Sequence, residues 1–135
     1  MSTEVRQAVF SDYPIIVEYD DFIGDRRLDM QRNEILVADQ DEAIAVGYAK
    51  VCTDQFFYWP LLANLIVKED FRRRGIGTSI VSHLIEETEF VRLYTSTEED
   101  NVAMRGLMTT LGIEQVGFVD GLNLDDTREI LYRLK

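Results

Sequence analysis

The sequence predicts one mixed α/β domain, and three observations carry that prediction. Apolar residues alternate in short β-prone runs along much of the chain, and the segments between several of these runs switch to helical spacing. One such segment, Ile76 to Thr88, lies between two apolar strands, so a parallel βαβ unit is expected there. At 135 residues the chain suits a single core and not two. The sum is a sheet of six or seven strands with about four helices.

Taken in order, Glu4 to Phe10 is β-prone and is stopped by Ser11-Asp12, either of which can cap a following helix that tolerates Pro14 in its first turn. Ile15, Ile16 and Tyr19 give that helix its apolar face. Asp20-Asp21-Phe22-Ile23-Gly24-Asp25 breaks the pattern, and Arg26 to Asn33 supports a second short helix. Glu34 to Ala38 reads as a strand, Asp39 to Glu42 as its turn, and Ala43 to Cys52 as the returning strand. Gly47 inside it marks a bulge or a close contact. The aromatic run Phe56-Phe-Tyr-Trp59 follows. Strand side chains alternate, so its four rings cannot all face one core.

The next stretch organises the rest. Leu61 to Val67 is an apolar strand that runs into Phe71-Arg-Arg-Arg-Gly-Ile-Gly77 and then a helix burying Ile76, Ile80, Val81, Leu84 and Ile85. Gly75 and Gly77 lack the Cβ atoms that keep a ligand off the backbone, so consecutive N–H groups can converge on one phosphate. The helix start adds unpaired N–H groups and the positive end of its dipole. Arg72, Arg73 and Arg74 add three charges within a chain that is otherwise acidic. Two other phosphate motifs do not fit. A Walker A loop needs Gly-Lys-Ser/Thr, which is absent, and the dinucleotide fingerprint needs glycine where Ile80 stands.

After this helix, Val91 to Thr95 reads as the parallel strand. Asn101 to Leu111 reads as a helix with Met104, Leu107, Met108 and Leu111 on one face, ended by Gly112. Glu114 to Val119 and Glu129 to Leu134 read as the last strands, joined by the polar turn Asp120 to Asp126.

The order strand, Arg72-x-x-Gly75-x-Gly77, helix resembles the signature of the GCN5-related N-acetyltransferases, the GNAT superfamily. The resemblance covers nearly the whole chain, 1–135, as a single domain, although only this motif is specific. It implies a mixed, mostly antiparallel sheet whose central parallel strands splay apart at a bulge. It implies acetyl-CoA as co-substrate, with its pyrophosphate on Arg72, Gly75, Gly77 and Thr78, Arg73 or Arg74 free for an outer phosphate, and Ile76 in the same cofactor-binding turn. The pantetheine would lie along the backbone of Leu65, Ile66 and Val67 like an added strand. Asn101 opens the helix where similar proteins carry an Asn, Met104 takes the small apolar position after it, and Met108 stands where a Tyr is expected.

That Tyr often protonates the departing thiolate, so the resemblance leaves the acid open, and Tyr94 is the replacement to test. The base is open too, because Asn64 stands near a position where some similar proteins carry a Glu. Asp54, Glu34 and the carboxylates of Asp20-Asp21 are other proton sinks. The reaction implied is direct attack of a primary amine on the thioester in a ternary complex, with a backbone N–H stabilising the oxyanion. An acyl-CoA-binding regulatory module without turnover is the alternative. A plain interaction domain with a basic loop is the third reading, and it predicts no CoA binding.

Composition sets the outer limits. Fourteen basic against twenty-five acidic residues leave a net charge of −11, which disfavours a nucleic-acid backbone and suits an amine or basic peptide acceptor. No apolar run approaches a membrane span and the first residues lack a signal peptide's apolar centre, so a cytoplasmic location is expected. A single cysteine, Cys52, and a single histidine, His83, exclude an internal disulfide and an ordinary zinc site. His83 is expected on the surface. The aromatic run Phe56 to Trp59 offers a homodimer interface or an acceptor pocket equally well.

Overall fold

A computed structural model describes residues 2–20 and 26–135. Asp21, named above as a proton sink, and Phe22 therefore lie outside the described residues. The chain runs β1 (Thr3–Gln7), α1 (Tyr13–Tyr19), α2 (Arg27–Gln31), β2 (Ile35–Gln40), β3 (Ala43–Phe56), β4 (Trp59–Val67), α3 (Ile76–Glu86), β5 (Tyr94–Glu98), α4 (Val102–Thr110), β6 (Gln115–Val119) and β7 (Glu129–Arg133). Among the described residues, seven strands form one sheet in the order β1-β2-β3-β4-β5-β7-β6. Every neighbouring pair is antiparallel except β4 and β5.

The sheet has helices on both faces. On one, Ile76, Ile80, Val81 and Leu84 of α3 and Met108 of α4 pack with Ala49, Val51, Leu62, Ile130 and Tyr132. On the other, Ile16 of α1 and Met30 of α2 cover Ile35, Val37 and Tyr48. That second layer lies over β2 and β3. Residues of β5 and β7 on the same side, including Ser96, Glu129 and Leu131, stay half-buried, and Glu98 and Arg133 are exposed.

Several predicted boundaries move, each for a local reason. The first strand ends at Gln7 and not Phe10, because Phe10–Asp12 form a 3-10 turn. Asp12 takes the N-cap position of α1 yet makes no cap bond there. Its buried carboxylate turns back to accept from Val9 N at 2.8 Å and from both terminal nitrogens of Arg6 at 2.9 Å. Arg6 also reaches Asp39, whose Oδ1 accepts from Ala45 N. Asp39 and Gln40 thus belong to β2, and the hairpin turn is only Asp41-Glu42. The strand β3 continues to Phe56 beyond Cys52, and β4 begins at Trp59 and not Leu61. Phe57 and Tyr58 form the two-residue turn between them at φ 52° and 69°, mostly exposed.

Helix α3 stops at Glu86, two residues early, where Thr88 Oγ1 donates to the Leu84 carbonyl at 2.5 Å. The strand expected at Val91 to Thr95 lies at Tyr94–Glu98, because pairing with β7 sets its register: Thr95 and Thr97 face the core opposite Tyr132 and Ile130. His83 is half-buried rather than fully exposed. Gly47 is a close-contact glycine. A Cβ there would sit 2.9 Å from Ile76 Cγ2 and 3.3 Å from the Ile66 carbonyl oxygen.

Candidate functional site

The site begins with a strand that carries one residue too many. Lys50 of β3 pairs with Asn64 while its neighbour Val51 pairs with Leu62, so Ala63 has no partner and bulges. The parallel pairing to β5 ends at the same place. Only Leu61 with Tyr94 and Leu62 with Thr95 are in register, and Thr95 Oγ1 fastens the end by donating to the Leu62 carbonyl at 2.9 Å. From Asn64 to Val67, β4 keeps its pairing to β3 on one edge, and from Ala63 onward it has, among the described residues, no strand on the other. This free edge is the slot expected from the sequence. An extended chain with amide groups fits it as an added strand.

The free edge leads into the basic turn. Lys68 N bonds to Val46 O, and a 3-10 turn at Glu69–Phe71 carries the chain around to Arg72. Arg72 commits its Nε to the Val67 carbonyl at 3.0 Å, while its terminal nitrogens make no bond among the described residues. The exposed Arg74 guanidinium sits 4.8 Å from the Phe71 ring centre. Arg73 is exposed at φ 65°, and Gly75 at φ 80° is the left-handed residue that starts α3. Residue 75 needs to be glycine for its backbone, since a Cβ would meet nothing within 4 Å. A Cβ on Gly77 would instead reach toward Leu65 and Leu107, at 4.0 and 3.7 Å. The first intrahelical bond at the start of α3 is Ser79 N to Gly75 O. The N–H groups of Ile76, Gly77 and Thr78 are thereby left to an anion.

Around the slot the other expected residues divide. Asn101 is the N-cap of α4, its side chain accepting from Met104 N at 3.1 Å. Met104 packs partly buried at the core margin. Met108 is fully buried in the core, so it has no surface to offer a cofactor. Tyr94 sits at the closed end of the slot with its ring 5.0 Å from that of Phe56. Asn64 shares the sheet face of Lys50, which is salt-bridged to Asp29 at 3.3 Å.

Three proton sinks are less suited than the sequence implied. Asp20 is paired with Arg26 at 3.3 Å and its side chain is buried. Glu34 and Asp54 line a small polar recess with Arg32, Thr53 and Gln55, and β4 lies between that region and β5. Cys52 is buried, burial pushes its thiol pKa up, and it lies on the sheet face opposite Val51 and α3, the helix that carries His83.

Sequence reasoning missed a group on the other side of the slot. Ser96 is the first β5 residue beyond the pairing to β4, and it faces away from the core. Its hydroxyl donates to Glu129 Oε2 at 2.7 Å, while Asn123 Nδ2 donates to Glu129 Oε1 at 3.1 Å. The pattern Thr95-Ser96-Thr97 hides this arrangement, because which of three small hydroxyl residues points outward depends on register.

A family model described as the acetyltransferase (GNAT) family matches residues 3–113. The chain belongs to this family. Among GNAT relatives, the ribosomal protein bS18-alanine N-acetyltransferase of Salmonella typhimurium is 33% identical over 95 residues, covering 68% of this chain and 58% of that protein. The match therefore spans somewhat over half of that relative's length. A GNAT-family acetyltransferase from Bacillus cereus ATCC 10987 superposes with a TM-score of 0.85 at 26% identity, over 98% of this chain and 96% of the other. The ribosomal-protein-alanine N-acetyltransferase of Brucella melitensis shares the fold at a TM-score of 0.78 and 20% identity, over 96% and 98% of the two chains. The seven-stranded GNAT sheet and its diverging parallel pair agree with the fold class that the sequence predicted. Among the described residues no helix is long and apolar enough to cross a membrane.

Proposed function

We propose that this GNAT protein transfers the acetyl group of acetyl-CoA to the α-amine at the N-terminus of a peptide or protein, by direct attack in a ternary complex. The observation that carries the reading is the free β4 edge from Ala63 to Val67 running without interruption into the left-handed Gly75 turn. Pantetheine amides would pair with the backbone of Leu65, Ile66 and Val67. The pyrophosphate would sit on the N–H groups of Gly75, Ile76, Gly77 and Thr78, with the free nitrogens of Arg72 beside it and Arg73 and Arg74 toward the outer phosphate. Asn101 and Met104, at the start of α4, would border the pantetheine.

Support for an α-amine acceptor comes from the bS18-alanine relative and from the net charge of −11, which attracts a cationic peptide end. Carbonyl polarisation falls to a backbone N–H freed by the bulge. The test is calorimetric titration of acetyl-CoA into the wild type and Gly75→Glu. The wild type should bind, and the variant, which sets a carboxylate among the phosphate donors, should not. Absence of binding to the wild type would overturn the reading.

The burial of Met108 at the position expected for a proton-donating Tyr favours one second reading, a module that binds acyl-CoA without turnover. Release of free CoA that depends on an added amine separates the two.

A further inference from the structure

We infer that Ser96 and Glu129 form the proton exit for the acceptor amine, with Asn123 as the residue that positions the carboxylate. This deepens the acetyltransferase reading and rests on it. The geometry supplies three independent supports. Strand register puts Ser96 at the point where β5 parts from β4, directly after the last pair, Leu62 with Thr95. Alternation along β5 turns its hydroxyl away from the buried Thr95 and Thr97, onto the sheet face beside the Ala63 bulge. The Glu129 carboxylate is held from both oxygens, by Ser96 at 2.7 Å and Asn123 at 3.1 Å, and Asn123 is itself fixed by donating to the Thr127 carbonyl at 2.8 Å.

A hydroxyl in this arrangement can do what neither Asn64 nor Met108 can. Its hydrogen already points at a carboxylate, so its lone pairs are presented to a donor. An approaching ammonium donates to Ser96 Oγ. One proton passes to that oxygen as the Ser96 proton moves to Glu129, leaving a neutral amine and a protonated carboxyl. The amine then forms the C–N bond, the C–S bond breaks, and a second nitrogen proton goes to the departing thiolate. The products are the N-acetylated amine and free CoA, and Glu129 returns its proton to solvent. Among the described residues, Glu98 on β5 and Arg133 on β7 share this sheet face, and Asp100 and Asp125 lie close enough to Glu98 to act on it electrostatically.

The experiment measures CoA release with a peptide bearing N-terminal alanine, for wild type, Glu129→Gln, Ser96→Ala and Asn123→Ala, from pH 6.5 to 9. Acetyl-CoA affinity is measured in parallel by calorimetry. The Gln variant should lose about 100-fold in kcat/KM for the peptide near pH 6.5, with acetyl-CoA affinity within about twofold of wild type. The deficit should shrink to about tenfold or less by pH 9, because an α-amine of pKa near 7.8 then needs no base. Ser96→Ala should show the same pH trend, and Asn123→Ala a smaller one. A deficit that is uniform across pH, or activity within about threefold of wild type in both Glu129→Gln and Ser96→Ala, would overturn the assignment. So would a wild type that binds acetyl-CoA but releases none of it to the peptide. A wild type that fails to bind acetyl-CoA would overturn the acetyltransferase reading itself.

Discussion

Thr95 Oγ1 donates to the carbonyl of Leu62 at 2.9 Å in a fully buried setting, and this bond closes the bottom of the gap between β4 and β5. Removing the hydroxyl while keeping the shape, Thr95→Val, should cost about 1 kcal/mol of stability. Urea denaturation would show it as a lower midpoint at unchanged slope.

Gly47→Ala should be worse than its small volume suggests. The added methyl meets Ile76 Cγ2 at 2.9 Å, and Ile76 is buried at the first position of α3. Overpacking of this kind costs about 1–3 kcal/mol. The strain falls on the helix start proposed to receive the pyrophosphate, so acetyl-CoA affinity measured by calorimetry should fall together with the urea midpoint.

The Arg6–Asp12 pair makes stability depend on acid. Burial alone would raise the Asp12 pKa, but hydrogen bonds from Arg6 and from Val9 N–H outweigh it and hold the carboxyl below its ordinary value. A depressed carboxyl adds stability that is fully present above its unfolded pKa, about 3.9, and is lost as pH falls through the lower folded value. Asp12→Asn should therefore lower the unfolding free energy from urea denaturation at pH 7 by about 1–3 kcal/mol, and the gap from wild type should narrow below pH 4.

Asn101→Ala tests the α4 cap. Losing the bond to Met104 N should cost about 1 kcal/mol, read as a lower thermal midpoint.

The turn between β3 and β4 should be easy to improve. Phe57 and Tyr58 occupy left-handed backbone positions that two-residue hairpins ordinarily give to Asn-Gly. Replacing them as Phe57→Asn with Tyr58→Gly removes about 1–2 kcal/mol of strain per residue but loses the edge-on contact of Phe57 with Phe56. The net expected from a urea midpoint is a gain of about 1 kcal/mol.

Local chemistry made some of this readable from residues alone. The Gly75 turn, the face of α3, Asn101 as cap and Gly112 at φ 68° after α4 each follow from what one or two residues can do with their own backbone. What the sequence concealed depends on registration between distant strands. Nothing in Tyr94 to Glu98 says that Ser96 faces Glu129, because that follows from pairing Glu98 with Glu129 across 31 positions of chain. Asp12, one of the two candidate caps, takes the N-cap position without the cap bond for a similar reason: its partner, Arg6, lies on β1, and the fold brings the two together ahead of any local cap. Met108 is a site residue only by the resemblance; its spacing puts it on the apolar face of the helix, and there it is fully buried.

The single extra residue at Ala63 also changes the phase of everything after it. In a straight strand running through Ala63, Leu62, Asn64 and Ile66 would share one face; because Ala63 bulges, Leu65 and Val67 join Leu62 beneath α3, and Asn64 and Ile66 turn toward the opposite layer. Straightening β4 with Ala63 kept in the strand would bring Asn64 into the core and push Leu65 and Val67 out. The hydrophobic interior thus guards the bulge: this chain cannot iron it flat without losing the packing that lets it fold.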